Sequence, residues 1–128
     1  MNELLKEWID KAEGDFATAQ RELAAEDTPN YDAACFHAQQ CVEKLLKAAL
    51  IQHGVTAPRT HDLFQLYLML QPESPKWQPK VADLRYLTRA AVSFRYPGES
   101  AEYEEAEEAL AICRKLRETL LRLLEEKR

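Results

Sequence analysis

Five side chains that could contact a ligand recur every three or four residues in the first half of the sequence. They are Phe36, Gln40, Glu43, Lys44 and Lys47. On an α-helix this spacing places them in one stripe, because residues three and four apart lie on the same face. The two ammonium groups would attract phosphate, and the flat ring of Phe36 would stack on a base. The stripe therefore predicts a surface that faces a ligand or a partner protein.

An ordinary helix surface is the competing interpretation of the same stripe. In that interpretation Gln40 contacts Lys44, and Glu43 forms a surface ion pair with Lys47. Such a pair stabilises a helix by only about 0.2–0.5 kcal/mol. The spacing alone does not decide between the two interpretations.

Two loops carry further groups that suit an anion. The segment PRTHD at residues 58–62 brings a guanidinium, a hydroxyl and an imidazole to a helix start, where backbone N–H groups favour negative charge. The segment FRYP at residues 94–97 places Arg95 between two aromatic rings just after a helix. Structural roles compete with binding here, because His61 can bond near a helix cap and Arg95 can bond the last carbonyls of its own helix. The candidate ligand- or partner-binding residues are Phe36, Gln40, Glu43, Lys44, Lys47, His61, Arg95 and Tyr96.

Several common kinds of site do not occur in the sequence. Gly14, Gly54 and Gly98 are the 3 glycines, and they are too far apart to form a phosphate-binding glycine loop. His37 and Cys41 could share a helix face, but no third ligand follows at a suitable spacing. The common motifs of serine hydrolases and zinc proteases do not occur either. We therefore expect no catalytic residues of these kinds, no metal and no cofactor.

The composition is typical of a small helical domain. The chain has 128 residues, of which 46% are hydrophobic and 30% are charged. This is the length of one domain with its own core, and the scarcity of glycine disfavours a β-sandwich or barrel with its many turns. The net charge of −5 argues against nucleic acid as a partner of the whole domain, although a local basic face is compatible with it.

The cysteines and the N-terminal segment indicate a cytoplasmic protein. The 3 cysteines, Cys35, Cys41 and Cys113, lie among apolar neighbours and do not fit a disulfide framework, so we expect buried, reduced thiols. The first residues, MNELLKEWIDKAEGD, contain acids where a signal peptide is apolar. No stretch approaches the roughly 18 apolar residues of a membrane span, so we expect no contact with a membrane.

Hydrophobic residues at intervals of three and four predict four main helices and one short helix. The first precedes a break at residues 26–30, and the second runs from about Tyr31 to His53. The third is short and stops near Pro72, the fourth begins near Pro79, and the fifth follows residues 96–98.

The ends of these helices also follow from the sequence. Asn30, Thr60 and Ser100 are the expected N-caps, because their side chains can accept a hydrogen bond from the first turn. No segment alternates with a period of two, so we predict no strand. We expect one all-α domain over residues 1–128, an antiparallel up-and-down bundle with a short inserted helix.

The string FHAQQCVEKLLKA at residues 36–48 resembles the signature helix of the HEPN family (higher eukaryotes and prokaryotes nucleotide-binding). The segments PRTHDL at residues 58–63 and RYP at residues 95–97 resemble the next two landmarks of that family, in the same order and at similar spacing. The N-terminal helix fits as well, with Trp8, Ala12, Asp15 and Phe16. The resemblance covers nearly the whole chain, and FHAQQ-x-x-EKLLKA is its most specific part.

The resemblance implies an all-helical up-and-down bundle, often a homodimer, from a prokaryotic source. It also implies frequent pairing with a minimal nucleotidyltransferase, as in toxin–antitoxin or defence systems. Many members are metal-independent ribonucleases that carry an Arg followed four to six residues later by a His, near the last helix.

The ribonuclease motif of the family is incomplete in this sequence. No His follows Arg95, and Arg59 and His61 are too close together and lie in another region. Acid–base cleavage of RNA needs a group that moves a proton near neutral pH, and His is the usual one. The acidic residues between Glu99 and Glu108 would also repel an RNA backbone that lay beside them.

We therefore expect a non-catalytic HEPN-like binding protein. It would be a homodimer that binds a nucleotide, another phosphate ligand or a partner nucleotidyltransferase, with the stripe lysines and Arg95 meeting phosphate or acidic groups. One alternative is a metal-independent ribonuclease with a changed site that uses Arg95, Tyr96 and His61 or His37. The other is a purely structural dimer, whose interface is the polar stripe, the small residues of the second helix, or Trp77 and its apolar loop.

Overall fold

A computed structural model describes residues 3–94 and 96–126. The helices in this part of the chain are α1 (Glu3–Ala24), α2 (Tyr31–Gln52), α3 (Leu63–Leu70), α4 (Val81–Ser93) and α5 (Tyr103–Glu126). The same residues contain no β-strand, and none of their helices is long and apolar enough to cross a bilayer. The predicted all-α fold class is confirmed.

Contacts between side chains show how the long helices alternate in direction. Lys47, near the end of α2, lies over the ring of Trp8 at the start of α1, so these two helices are antiparallel. Gln52, at the end of α2, donates to the carbonyl of Leu124 at the end of α5, so α2 and α5 are parallel. Two further bonds show that α4 is antiparallel to α5. The four long helices therefore form the predicted up-and-down bundle.

Helix α2 lies at the centre of the bundle. It packs against all four other helices, most extensively against α1 and α5. Its small residues Ala34, Cys35 and Ala38 are completely buried and let the neighbouring helices approach closely. This face is therefore covered within the chain and is not available to a second copy, in contrast to one of the dimer interfaces considered from the sequence.

The starts of α2 and α3 show where cap prediction succeeds and where it fails. Asn30 caps α2 as predicted, because its side-chain oxygen accepts from the N–H of Ala33 at 2.9 Å. The prediction of Thr60 as the cap of α3 was wrong. Asp62 is the N-cap and accepts from the N–H of Phe64 at 3.0 Å, while Thr60 accepts from the N–H of Asp62 itself. The carboxylate is the stronger acceptor, and it starts the helix two residues later.

The prediction of Ser100 as the cap of α5 was also wrong. The helix begins at Tyr103, and the carboxylate of Glu105 accepts from the N–H of Glu102 at 2.7 Å. Just before this turn, Asp32 of α2 accepts from the N–H of Ala101 at 2.6 Å. That long-range bond ties Ala101 to α2, and the helix begins only two residues later.

The three cysteines are buried, unpaired thiols, as expected. Burial raises the pKa of Cys35 to about 12. A contact with Cys113, together with burial, raises the pKa of Cys41 as well. Cys35 and Cys41 therefore stay protonated at neutral pH. All three cysteines serve as small residues of the core.

Candidate functional site

The buried carboxylate of Glu43 is the centre of a hydrogen-bond network on the polar side of α2. Its Oε1 accepts from the Nε2 of Gln39 at 3.0 Å and from the Nε2 of Gln40 at 3.2 Å. The Nδ1 of His61 lies 3.0 Å from the same oxygen, and the Nζ of Lys47 donates to Oε2 at 3.0 Å. The Glu43 side chain is only 5% exposed. These bonds offset the desolvation that burial of a charge requires.

Two segments of the chain supply the members of this network. Gln39, Gln40, Glu43 and Lys47 lie within two turns of α2, so helix geometry alone brings them to one face. His61 comes from the loop before α3. The Nε2 of Gln39 donates to the backbone carbonyl of His61 at 2.9 Å and fixes that loop against α2.

Asp15 of α1 is the centre of a second, similar cluster. Its Oδ1 lies 2.7 Å from the Nδ1 of His37, and its Oδ2 accepts from the Nζ of Lys44. The Asp15 side chain is 9% exposed. Each of the two buried acids thus holds one lysine and one histidine, and Lys44 is directed to α1 rather than to the network of Glu43.

The interpretation of the polar stripe as an ordinary surface is wrong. The ion pair between Glu43 and Lys47 does form, but the two side chains are only 5% and 8% exposed. The expected contact between Gln40 and Lys44 is replaced by other bonds, because Gln40 donates to Gln39 and Glu43 while Lys44 pairs with Asp15. Most of the stripe faces protein rather than water.

Three of the predicted binding residues line one shallow depression of about 240 Å³ between α2 and α4. Its lining consists of Phe36, Gln39, Gln40, His61, Thr88, Ala91 and Val92. An adjoining depression of about 300 Å³ shares Thr88 and is otherwise lined by Asp62, Phe64, Arg85 and Arg89. The guanidinium of Arg85 lies 4.9 Å from the centre of the Phe64 ring. An aromatic ring, an amide and an imidazole therefore adjoin two guanidinium groups on one surface.

The other predicted residues lie behind this surface or away from it. Glu43 and Lys47 support Gln40 and His61 from the buried side. Tyr96 is 62% exposed in the connection between α4 and α5, and it lines neither depression. Arg95 lies outside the described residues.

A family profile for the HEPN domain matches residues 5–124 of the chain. The chain belongs to the HEPN domain family. The resemblance inferred from the sequence motifs is thereby confirmed.

Two solved structures are similar to this HEPN domain. TT1696 from Thermus thermophilus shares 30% identity over 97% of this chain and 98% of that one, with a TM-score of 0.75. ST0689, an archaeal HEPN homologue, shares 21% identity over 91% of this chain and 93% of that one, with a TM-score of 0.64. At 21% identity, the similarity to ST0689 shows a shared fold and nothing further. No curated protein gives a significant match to the chain.

Sequence reasoning missed several residues of this HEPN domain's site. Asp15 and Gln39 lie in the segments that resemble the family, but the sequence did not reveal their roles, because these come from burial and from partners on other segments. Arg85 and Arg89 are four residues apart on α4, a spacing that would have placed both guanidinium groups on one face. Thr88 joins this face to α3, since its hydroxyl accepts from the N–H of Leu63 at 3.1 Å.

Glu43 is ionised at neutral pH in spite of its burial. Burial alone would raise the pKa of this carboxyl group, but the hydrogen bonds from Gln39, Lys47 and His61 outweigh that effect. They hold the pKa below the ordinary value of 4.5. The network therefore contributes stability above the pKa of the unfolded chain, and this contribution is lost as the pH falls through the pKa of the folded protein.

Replacing Glu43 with Gln should destabilise the protein at pH 7 by about 3 kcal/mol, since Lys47 would remain buried without a counter-charge. Urea unfolding of the variant and the unsubstituted protein measures the difference. The difference should shrink as the pH is lowered below 4.5, where the unsubstituted protein also loses the charge on Glu43.

The exposed pair of Lys6 and Asp10 provides the control for this experiment. Its side chains are 64% and 62% exposed, so Asp10→Asn should change stability little at any pH. An equal decrease in the free energy of unfolding in Asp10→Asn and Glu43→Gln would contradict a special role for Glu43. A loss in Glu43→Gln that does not depend on pH would contradict its ionisation.

Proposed function

We propose that this HEPN domain is a non-catalytic binding module for a nucleotide. The ligand lies across the two adjoining depressions, with its base beside Phe36 and Gln40 and its phosphate towards Arg85 and Arg89. The observation that carries the proposal is the shared surface itself, which joins an aromatic ring and hydrogen-bonding groups to two guanidinium groups. Aromatic rings stack on bases, and guanidinium groups bind phosphate.

The stripe lysines have an indirect role in this proposal. The ammonium groups of Lys44 and Lys47 are paired with buried carboxylates, so their charge is compensated within the protein. Arg85 and Arg89 are exposed on α4 and are better placed to reach a phosphate. We assign to Lys47 the stabilisation of Glu43, which in turn holds His61 and Gln40 at the depression.

Two further observations support a protein without catalytic activity in a reducing compartment. The chain has no His after Arg95, so the ribonuclease motif of the family is incomplete and the module is proposed as non-catalytic. The unpaired, buried cysteines favour a reducing compartment such as the cytoplasm.

Isothermal titration with the 5′-monophosphates of adenosine, guanosine, cytidine and uridine tests the proposed binding. We expect at least one of them to bind, and we expect Arg89→Ala to weaken that binding about 10- to 100-fold. This is the effect of losing one hydrogen bond to a charged group, about 1.5–3 kcal/mol. Arg114→Ala makes the same change at an exposed position on α5 and should leave the affinity unchanged.

Either of two results would contradict the proposed site. The first is the absence of binding by all four nucleotides. The second is an equal loss of affinity in Arg89→Ala and Arg114→Ala, since this would indicate a general effect of charge rather than contact at α4.

Incubation with mixed RNA tests the non-catalytic part of the proposal separately. We expect the unsubstituted protein and Arg95→Ala to leave the RNA equally intact, because no His follows Arg95 to transfer a proton. The products are resolved on a denaturing gel. Cleavage by the unsubstituted protein that disappears in Arg95→Ala would establish the ribonuclease alternative instead.

A further inference from the structure

The contacts of Gln39 determine which groups donate and which accept at the depression lined by Phe36, Gln40 and His61. The amide nitrogen of Gln39 lies 3.0 Å from Oε1 of Glu43 and 2.9 Å from the backbone carbonyl oxygen of His61. Both of these oxygens can only accept, since Glu43 is ionised, so the Gln39 amide has one permitted orientation. Both of its hydrogens are used, and its Oε1 is an acceptor.

The orientation of Gln40 follows from that of Gln39. The Nε2 of Gln40 donates to Oε1 of Gln39 at 2.9 Å and to Oε1 of Glu43 at 3.2 Å. A flipped amide would place oxygen against oxygen at both contacts, so both hydrogens of Gln40 are also used. Gln40 can therefore offer a ligand only its Oε1, an acceptor.

The ionised carboxylate also fixes the tautomer of His61. The Nδ1 of its ring lies 3.0 and 3.1 Å from the two carboxylate oxygens of Glu43. An ionised carboxylate cannot donate, so Nδ1 carries a proton, and a ring in the neutral form has its lone pair at Nε2. The side chain is 76% exposed, and Nε2 lies on the side of the ring away from Nδ1. In its neutral form His61 therefore also presents an acceptor.

Thr88 offers no donor to a ligand either. Its hydroxyl donates to the carbonyl of Leu84 at 3.1 Å and accepts from the N–H of Leu63. The remaining lining residues, Phe36, Ala91 and Val92, have apolar side chains. Within the described part of the chain, the side chains that line this depression thus present acceptors and no donor when the His61 ring is in its neutral form.

We propose that this depression selects a guanine base. Guanine carries two adjacent donors on one edge, the N1–H and the N2 amino group, which match the acceptors Gln40 Oε1 and His61 Nε2. Those two side chains are neighbours, because both donate to the same oxygen of Glu43. Adenine and cytosine place a donor beside an acceptor, and uracil has one donor between two acceptors. The inference rests on the nucleotide binding proposed above and names the base.

An organic cation would also bring only donors, but the surroundings favour the guanine nucleotide. Arg85 and Arg89 outnumber the one carboxylate, Asp62, in the lining of the adjoining depression, so its net positive charge would repel a cation. The same two groups complement the phosphate of a guanosine nucleotide. Phe36 lines the first depression and gives a planar base an aromatic surface, which a flexible amine would not exploit.

Titration of the unsubstituted protein with GMP, IMP, AMP, UMP and agmatine tests the choice of base. GMP should bind most tightly. IMP lacks the N2 amino group and should bind about 3- to 10-fold more weakly, the effect of one hydrogen bond. AMP and UMP should bind more weakly than IMP, because each places an acceptor against an acceptor of the protein.

Two variants test the residues that make the choice. Gln40→Leu should reduce the preference for GMP over AMP about 10-fold or more, since the acceptor is lost and a buried donor of the ligand is left unpaired. Gln20→Leu, the same change at an exposed position on α1, should preserve the preference. His61→Ala is the second variant at the site, and its exposed position keeps the test valid if Gln40→Leu does not fold. Circular dichroism checks the fold of each variant.

The outcomes separate this inference from the proposed function. Equal affinities for all four nucleotides would leave nucleotide binding intact and overturn the selection of guanine. Tighter binding of AMP, UMP or agmatine than of GMP would overturn it as well, as would an unchanged preference in a folded Gln40→Leu or His61→Ala variant. Binding of no nucleotide would overturn the proposed function itself.

Discussion

The burial of one ionised carboxylate, that of Glu43, determines the arrangement of the polar side of this bundle. A charge withdrawn from water is tolerated only where hydrogen bonds replace those of the solvent. Here the donors come from the same helix, through Gln39, Gln40 and Lys47, and from the loop before α3, through His61. The position of that loop, and with it the start of α3, therefore depends on the central helix.

The same principle operates at the contact of α1 with α2, where the buried Asp15 holds His37 and Lys44. At the contact of α1 with α5, Arg117 donates two hydrogen bonds, of 2.7 and 2.6 Å, to Glu13, whose side chain is 38% exposed. Apolar helix faces can slide past one another at small cost, whereas paired charges cannot. Each pair joins one turn of α1 to one turn of a neighbouring helix, which favours a single register of the long helices.

The sequence predicted the features that depend on neighbouring residues along the chain. It missed those that depend on contacts between distant segments. The bounds of α2 and its cap at Asn30 follow from apolar spacing and side-chain chemistry, and both were correct. The spacing of Gln40, Glu43 and Lys47 identified a common face but could not show that other elements cover it. The partner of Lys44 is Asp15, 29 residues away, so no pattern within α2 could reveal that its charge is compensated. Cap prediction failed where Asp32 reaches from α2 to Ala101, for the same reason.

Glu43 gives the depression its pattern of acceptors, and the tautomer of His61 is the most direct consequence. Nitrogen-15 NMR of the imidazole ring, recorded at a pH where the ring is neutral, measures that tautomer. We expect a proton on Nδ1 and a bare Nε2 in the unsubstituted protein, and we expect this preference to be lost in Glu43→Gln. A ring protonated on Nε2 in the unsubstituted protein, or one whose tautomer does not change in Glu43→Gln, would contradict this role of Glu43.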